Sequence, residues 1–365
     1  MRHRLSHDLT PYKLPRAFAF RTDSAGADQE AIVQRLIDYY FYMKSEVERL
    51  NVPGLAGIWS HFGKLFAAFE GALASRDAAL VSRALLQVCT TSLVSGFASY
   101  HQYEAISRDP RSRMFESYLT IDRMLSLAEA VGAAAPQCPF QIMKSYHDLD
   151  LGTLMANIKR RLPFDIHPPV AGGGTFGINT TDGVLSISDI LAIYVANRIH
   201  GLLANRTGTS VCEIGGGTGT LAYYLTKTSA SRISMADLPI VSIIQGYYLM
   251  KSSGPENVRL SGEPPSDRRV QIMPYWELDN LPEDSVDLFV NIDSFPEIDA
   301  NIAEHYMKII KHTGRSFLSI NQEAEFEGQV VVRNLVEKNG GYRQLHRFPY
   351  WMIQGYCEEL FDIIR

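Results

Sequence analysis

Four cysteines in 365 residues, at positions 89, 138, 212 and 357, form neither a Cys-x-x-Cys pair nor a Cys/His ligand spacing. This argues against a disulfide framework and against the common zinc modules, and reduced thiols in a cytoplasmic protein are expected. No apolar core follows Arg2, His3 and Arg4, so a secretory leader is not expected either. The longest apolar stretch, residues 78–98, is interrupted by Arg83, Gln87 and Gly96 and suits a core helix rather than a membrane span. Charge of one sign is also lacking. The net charge is −5, and 35 Lys and Arg are scattered among 40 Asp and Glu, which argues against a nucleic-acid surface. What is present, 46% hydrophobic and 21% charged residues, can bury a sizeable core, and the length exceeds that of the usual single domain.

Two periodicities divide the chain. Residues 1–26, basic and carrying Pro11 and Pro15, read as an irregular arm. Helical spacing follows over residues 31–50, 55–73, 77–103 and 112–130 with no strand pattern between, which predicts an all-α part over residues 1–170 serving the acceptor or oligomerisation. Prolines 136, 139, 163, 168 and 169 then punctuate a crossing segment, and Gly172-Gly173-Gly174 reads as a flexible boundary or a tight approach, with a ligand loop as the alternative. Ser186-x-x-Asp189 is a capping box opening a helix with its apolar face at Ile190, Leu191, Tyr194, Ile199 and Leu202. From there strands (209–214, 231–236, 270–273, 286–292, 316–320) alternate with helices (221–228, 240–251, 300–311, 329–339). Such alternation predicts an α/β fold over residues 171–365, a mostly parallel sheet with helices on both faces. Residues 342–347 and 360–364 read as a closing strand pair.

Function concentrates at Val211-Cys212-Glu213-Ile214-Gly215-Gly216-Gly217-Thr218-Gly219, a glycine turn between a buried strand and a helix. Backbone N–H groups are accessible to a ligand at such a turn. The last glycine comes one residue too early for a dinucleotide fingerprint, and no Lys-Ser/Thr pair follows as a P-loop requires. Asp237 ends the next strand, 24 residues after Glu213, where a carboxylate reaches ribose hydroxyls held over the first loop. Asp237-Leu238-Pro239 also suits a helix start.

The motifs Glu213 to Gly219, Met235 to Pro239, Gln245 to Leu249, Asn291 to Glu297 and Phe317 to Asn321 together resemble the sugar O-methyltransferases, within the class I (Rossmann-like) S-adenosylmethionine-dependent methyltransferases. The resemblance covers roughly residues 172–321 and departs from the pattern at Thr218, where an aromatic residue is frequent. It implies a seven-stranded sheet whose last pair includes an antiparallel strand. It also implies S-adenosyl-L-methionine as cofactor, held by Glu213, Gly215, Gly217, Gly219, Asp237, Leu238 and Asn291, with Tyr275 or Trp276 covering the adenine.

Methyl transfer to a hydroxyl needs alignment, exclusion of water and a proton acceptor. Asp293 and Glu297, four residues apart after the fourth strand, are candidates, and the alternative is that Asp293 or Ser294 caps the next helix. His305, two turns into that helix, is a second candidate base because imidazole is a common proton acceptor. His101, within Tyr100-His101-Gln102-Tyr103, could reach the cleft from the helical part. Asp293, Glu297 and Asp299 are also hard oxygen ligands of the kind Mg²⁺ accepts, but no metal is expected. The expected activity is O-methylation of a sugar or glycosylated metabolite by a homo-oligomer acting on a small molecule, with no nucleic-acid or membrane partner. O- or N-methylation of a non-sugar natural product, and a non-catalytic cofactor-binding scaffold, stay open.

Overall fold

The computed structural model describes residues 18–51, 63–95, 101–136, 150–324 and 329–365. Its strands are β1 (Phe18–Arg21), β2 (Thr175–Thr180), β3 (Gly183–Leu185), β4 (Ser210–Ile214), β5 (Arg232–Asp237), β6 (Val258–Leu260), β7 (Val270–Pro274), β8 (Leu288–Ile292), β9 (Ser316–Gln322), β10 (Tyr342–Pro349) and β11 (Tyr356–Ile363). The first three form a small antiparallel sheet. The others form one eight-stranded sheet in the order β10-β11-β9-β8-β4-β5-β7-β6, parallel from β9 to β6, with β11 antiparallel to both of its neighbours.

The expected seven strands are therefore eight. The addition, β6, is an edge strand of three residues, too short to carry a readable alternation. The closing pair is present but interleaved: β11 inserts between β9 and β10, and begins at Tyr356 rather than Leu360.

The helices are α1 (Gln29–Leu50), α2 (Gly63–Ala74), α3 (Ala78–Leu86), α4 (His101–Arg108), α5 (Pro110–Ala130), α6 (Leu151–Arg161), α7 (Ile187–Leu203), α8 (Thr220–Leu225), α9 (Pro239–Ser253), α10 (Ala300–Thr313) and α11 (Val332–Asn339). Their starts follow side-chain chemistry. The carboxylates of Asp77, Asp109, Asp150 and Asp299 accept from first-turn N–H groups of α3, α5, α6 and α10. Ser186 and Asp189 form the reciprocal capping box at α7.

Two expectations for the N-terminal part are corrected. It is not all-α, because Phe18–Arg21, assigned to the irregular arm, pairs with β2 across the boundary near residue 170. The single helix expected over 77–103 is interrupted after Leu86 by two short 3₁₀ turns, where Thr90 and Thr91 hydroxyls donate to the Gln87 and Val88 carbonyls and compete with the helix ladder. Residues 1–17 and 52–62, the latter including the 55–62 part of the second expected helix, lie outside the described residues, as do 96–100 and 137–149.

The helices before residue 170 share a core with one face of the sheet. Ile32, Leu36, Leu85 and Leu127 belong to the same buried cluster as Val211, Ile233, Val290 and Ile320. Polar ties reinforce it. Arg35 of α1 makes a two-nitrogen pair with Glu263 (2.7 and 2.9 Å) and also donates to the Val258 carbonyl at 2.7 Å, so α1 is fixed to the sheet's β6 edge. The opposite face carries a second cluster built from Cys212, Phe289, Phe295, Met307 and Phe317. Among the described residues no helix is long and apolar enough to cross a membrane.

Candidate functional site

Register assembles the site. Ile214 is level with Ala236 and Asn291, Asp237 with Pro274, Ile292 with Ile320, and Tyr356 with Gln322. The glycine turn, Asp237, Tyr275, Asp293 and Tyr356 thus emerge along one sheet edge, where the parallel strands end and open α/β sheets take ligands.

The turn after β4 has left-handed backbone at Gly215, Gly217 and Gly219 (φ +74°, +56° and +92°). At Gly215 a Cβ would also run into the Ser294 hydroxyl, so conformation and space both demand glycine. The loop is anchored by Gly215 N donating to the Ala236 carbonyl at 3.0 Å.

Beneath it Glu213 is buried, and among the described residues its Oε2 has no hydrogen-bond partner. Burial, then the charge of Asp237, pushes its carboxyl up to about 8. An unsatisfied buried acceptor costs about 1–3 kcal/mol, so a donor supplied by a ligand would be favoured there. Asp237, partly exposed, accepts from Leu238 N (2.8 Å) and Gln245 Nε2 (2.7 Å). Burial raises its carboxyl to about 7 against the lowering by these two donors and by the backbone of Gly217 and Gly216. Asp237 makes no N-cap to α9: the cap position is Leu238, with Pro239 opening the helix. Gln245 is a site residue whose role the sequence did not reveal. Its only signal was its place in the Gln245 to Leu249 motif.

Asn291, expected among the cofactor-binding residues, sits at the base of the glycine turn. It is buried, its Nδ2 donates to the Ile214 carbonyl (2.9 Å) and to Ser294 Oγ, and its Oδ1 accepts from Phe295 N, so it ties β8 to the glycine turn. Trp276 is likewise a core residue, 8% exposed, with Tyr275 edge-on to it at 5.1 Å. Of the two aromatics, Tyr275 keeps the more open surface.

Asp293 and Glu297 lie near enough for the charge of the first to act on the second. Asp293 has φ +57°, a conformation Asp tolerates better than most residues, and its Oδ2 accepts from Tyr356 OH at 2.7 Å. It remains open to solvent on one side, yet the protein crowding its other sides raises its carboxyl above the ordinary range, with the Tyr356 bond pulling the other way. Burial and the charge of Asp293 push Glu297 up to about 7. The helix-cap alternative belongs to Asp299, which accepts from Asn301 N at 2.9 Å. His305 does not join this group. Its Nε2 pairs with Asp279 at 2.8 Å, and both side chains are about half exposed.

The triple glycine is a tight approach rather than a flexible link. Cβ atoms at Gly172, Gly173 and Gly174 would each come within 2.7 Å of Cys89 Sγ, Gln87 Cα and the Arg21 carbonyl, respectively. Beside it a cavity of about 90 Å³ opens between Tyr103 of the helical part, Phe176, Ser186, Tyr248 and Thr218 of the glycine turn. Thr218, where the family pattern favours an aromatic, bonds Thr220 through its hydroxyl at 2.9 Å. The side chains of His101 and Gln102 lie outside those described.

No family model and no curated protein matches this chain. Solved structures similar to it include a SAM-dependent methyltransferase from Aquifex aeolicus, at 16% identity over 47% of this chain and 89% of that one, with a TM-score of 0.36. The [4+2]-cyclase SpnF is similar at 13% identity over 46% and 80%, TM-score 0.35. TrmK of M. capricolum, solved with S-adenosyl-homocysteine, is similar at 12% identity over 46% and 67%, TM-score 0.30. Each likeness spans less than half of this chain.

Proposed function

We propose that the chain is an S-adenosylmethionine-dependent O-methyltransferase acting on a hydroxyl of a sugar or glycosylated metabolite. One observation carries the reading: the unpartnered, buried Glu213 oxygen under a turn of left-handed glycines, with Asp237 at the next strand tip. A cofactor with hydroxyl and ammonium donors, and no phosphate, fits that arrangement. Glu213, the backbone of Gly215, Gly217 and Gly219, and Leu238 would hold it, Asp237 would take the ribose hydroxyls, and Tyr275 would cover the adenine. When bound, this cofactor supplies an electrophilic methyl group. The protein's own part is to hold the acceptor oxygen in line and to take up its proton, a task for the strand-tip pair Asp293 and Glu297. Residues 171–365 would form the methyltransferase part. Residues 1–170, whose Tyr103 shares a cavity with Thr218, would enclose the acceptor and offer surface for a homo-oligomer.

The test is an acceptor screen with methyl-radiolabelled cofactor, comparing sugar nucleotides and glycosides with phenols and amines. Label in a glycoside product is the expected outcome. Transfer confined to phenols or amines would move the chain to the non-sugar natural-product class. Cofactor binding with no product in any class would favour a scaffold.

A further inference from the structure

β11 runs against the rest of the sheet, so its first residue, not its last, arrives at the edge where the parallel strands end. That residue is Tyr356. It follows Gly355 (φ +91°), its carbonyl accepts from Tyr350 N at 2.8 Å, and its phenol donates to Asp293 Oδ2 at 2.7 Å. The Asp293 backbone is held by its own N–H donating to the Ile320 carbonyl at 3.0 Å. Among the described residues, the groups that act on these carboxyls are Tyr356 from β11, which bonds Asp293, and Asp293 at the β8 tip, whose charge raises Glu297.

The charge of Asp293 disfavours a second charge on Glu297, so one of the two acids ionises before the other. Which oxygen is ready to take a proton from an acceptor depends on which acid ionises first. We infer that Tyr356 is a positioning residue that decides this in favour of Asp293: its phenol hydrogen bond occupies Oδ2, favours the ionised form of Asp293, and leaves Oδ1 for the incoming proton, while Glu297 keeps its own proton. The inference rests on the methyl-transfer reading only for the use made of that proton. In that use the acceptor oxygen bonds the methyl carbon as the carbon–sulfur bond breaks, the electron pair leaves with sulfur, and the hydroxyl proton ends on Asp293.

The test needs neither cofactor nor acceptor. In protein labelled with ¹³C at the side-chain carboxyls, the Asp293 and Glu297 signals are identified by their loss in Asp293→Asn and Glu297→Gln and followed against pH. Asp293 is expected to ionise first in the wild type. In Tyr356→Phe its midpoint is expected to rise by about one pH unit, with that of Glu297 falling, because the bond that favours the charged form is gone. Unchanged midpoints in a folded Tyr356→Phe protein, or Glu297 ionising first in the wild type, would overturn the inference. If Tyr356→Phe does not fold, Asp293→Asn serves alone: the Glu297 midpoint is expected to fall by about a unit on loss of the Asp293 charge, and an unchanged Glu297 midpoint would overturn the inference. With an acceptor in hand, the acid limb of kcat is expected to move with Asp293 in Tyr356→Phe at little change in KM, which a merely structural tyrosine would not produce. A chain that fails to methylate anything would leave the carboxyl titrations, and this assignment, intact.

Discussion

Glu213 and Asp237 lie against glycine backbone and N–H donors, whereas Asp293 and Glu297, beyond the adjoining strand β8, lie against a phenol and open solvent. Both pairs hold carboxyls raised by burial and by like charge, so the titration shifts alone do not tell their roles apart. The surroundings do. Converging N–H donors and an unpartnered oxygen under a fixed turn suit a site that receives hydroxyl and amine donors from a ligand and keeps them. A carboxyl that keeps one oxygen at a solvent-facing edge, and whose ionisation a single hydrogen bond can tip, suits a group that changes protonation in each turnover. One sheet edge thus separates holding from proton transfer by what is packed around otherwise similar acids.

The largest effect expected of a single change that tests this division falls on Asp237. Asp237→Ala removes the acceptor that two ribose hydroxyls would share, a loss of about 2–3 kcal/mol, or roughly 30- to 150-fold in Kd. Calorimetric titration with S-adenosylmethionine measures it, with the melting temperature as a control on the fold. Unchanged affinity would take Asp237 out of the site and collapse the contrast between the pairs.

A middle-sized effect should appear in stability against pH. The Glu213 carboxyl titrates at about 8 in the folded chain against an ordinary value of 4.5. Between those limits only the folded state holds the proton, so stability is fullest below pH 4.5 and is lost as pH rises toward 8. The loss is at most about 1.4 kcal/mol per pH unit for one group. Urea unfolding of the wild type at pH 5.5 and 7.5 is expected to give a lower free energy at the higher pH, and Glu213→Gln is expected to flatten that slope. An equal slope in both proteins would mean that Glu213 is not a buried neutral acid, and that the two pairs differ less than their surroundings suggest.

The first pair could be read from sequence because everything that makes it is local: one glycine turn, one β-α-β crossover and an acid at each strand tip. The second was only half legible. Asp293 and Glu297 are four residues apart, but Tyr356 reaches Asp293 across 63 residues, and only because β11 inserts between β9 and β10, an order that strand periodicity does not encode. The same limit explains β1 and β6, whose four and three residues acquire meaning only from partners far along the chain. It also applies to Asn291 and Trp276, expected beside the cofactor, whose burial and, for Asn291, bond to the Ile214 carbonyl depend on packing that the sequence pattern does not encode. The capping box at Ser186 and Asp189 was read correctly, since both of its partners lie within one helical turn.

The smallest effect is expected at His305, a residue whose type alone suggested catalysis. It lies on α10 with its Nε2 on Asp279, and the two side chains are 53% and 50% exposed. A contact so open to water is screened and gains little from its partner. His305→Ala is therefore expected to change unfolding stability by less than about 0.5 kcal/mol and to leave methyl transfer at saturating cofactor within twofold of wild type. The informative outcome is the opposite one. A tenfold fall in turnover with cofactor affinity unchanged would make His305 the proton acceptor, and Asp293 and Glu297 would then become acceptor-binding acids, doing for the sugar what Glu213 and Asp237 do for the cofactor.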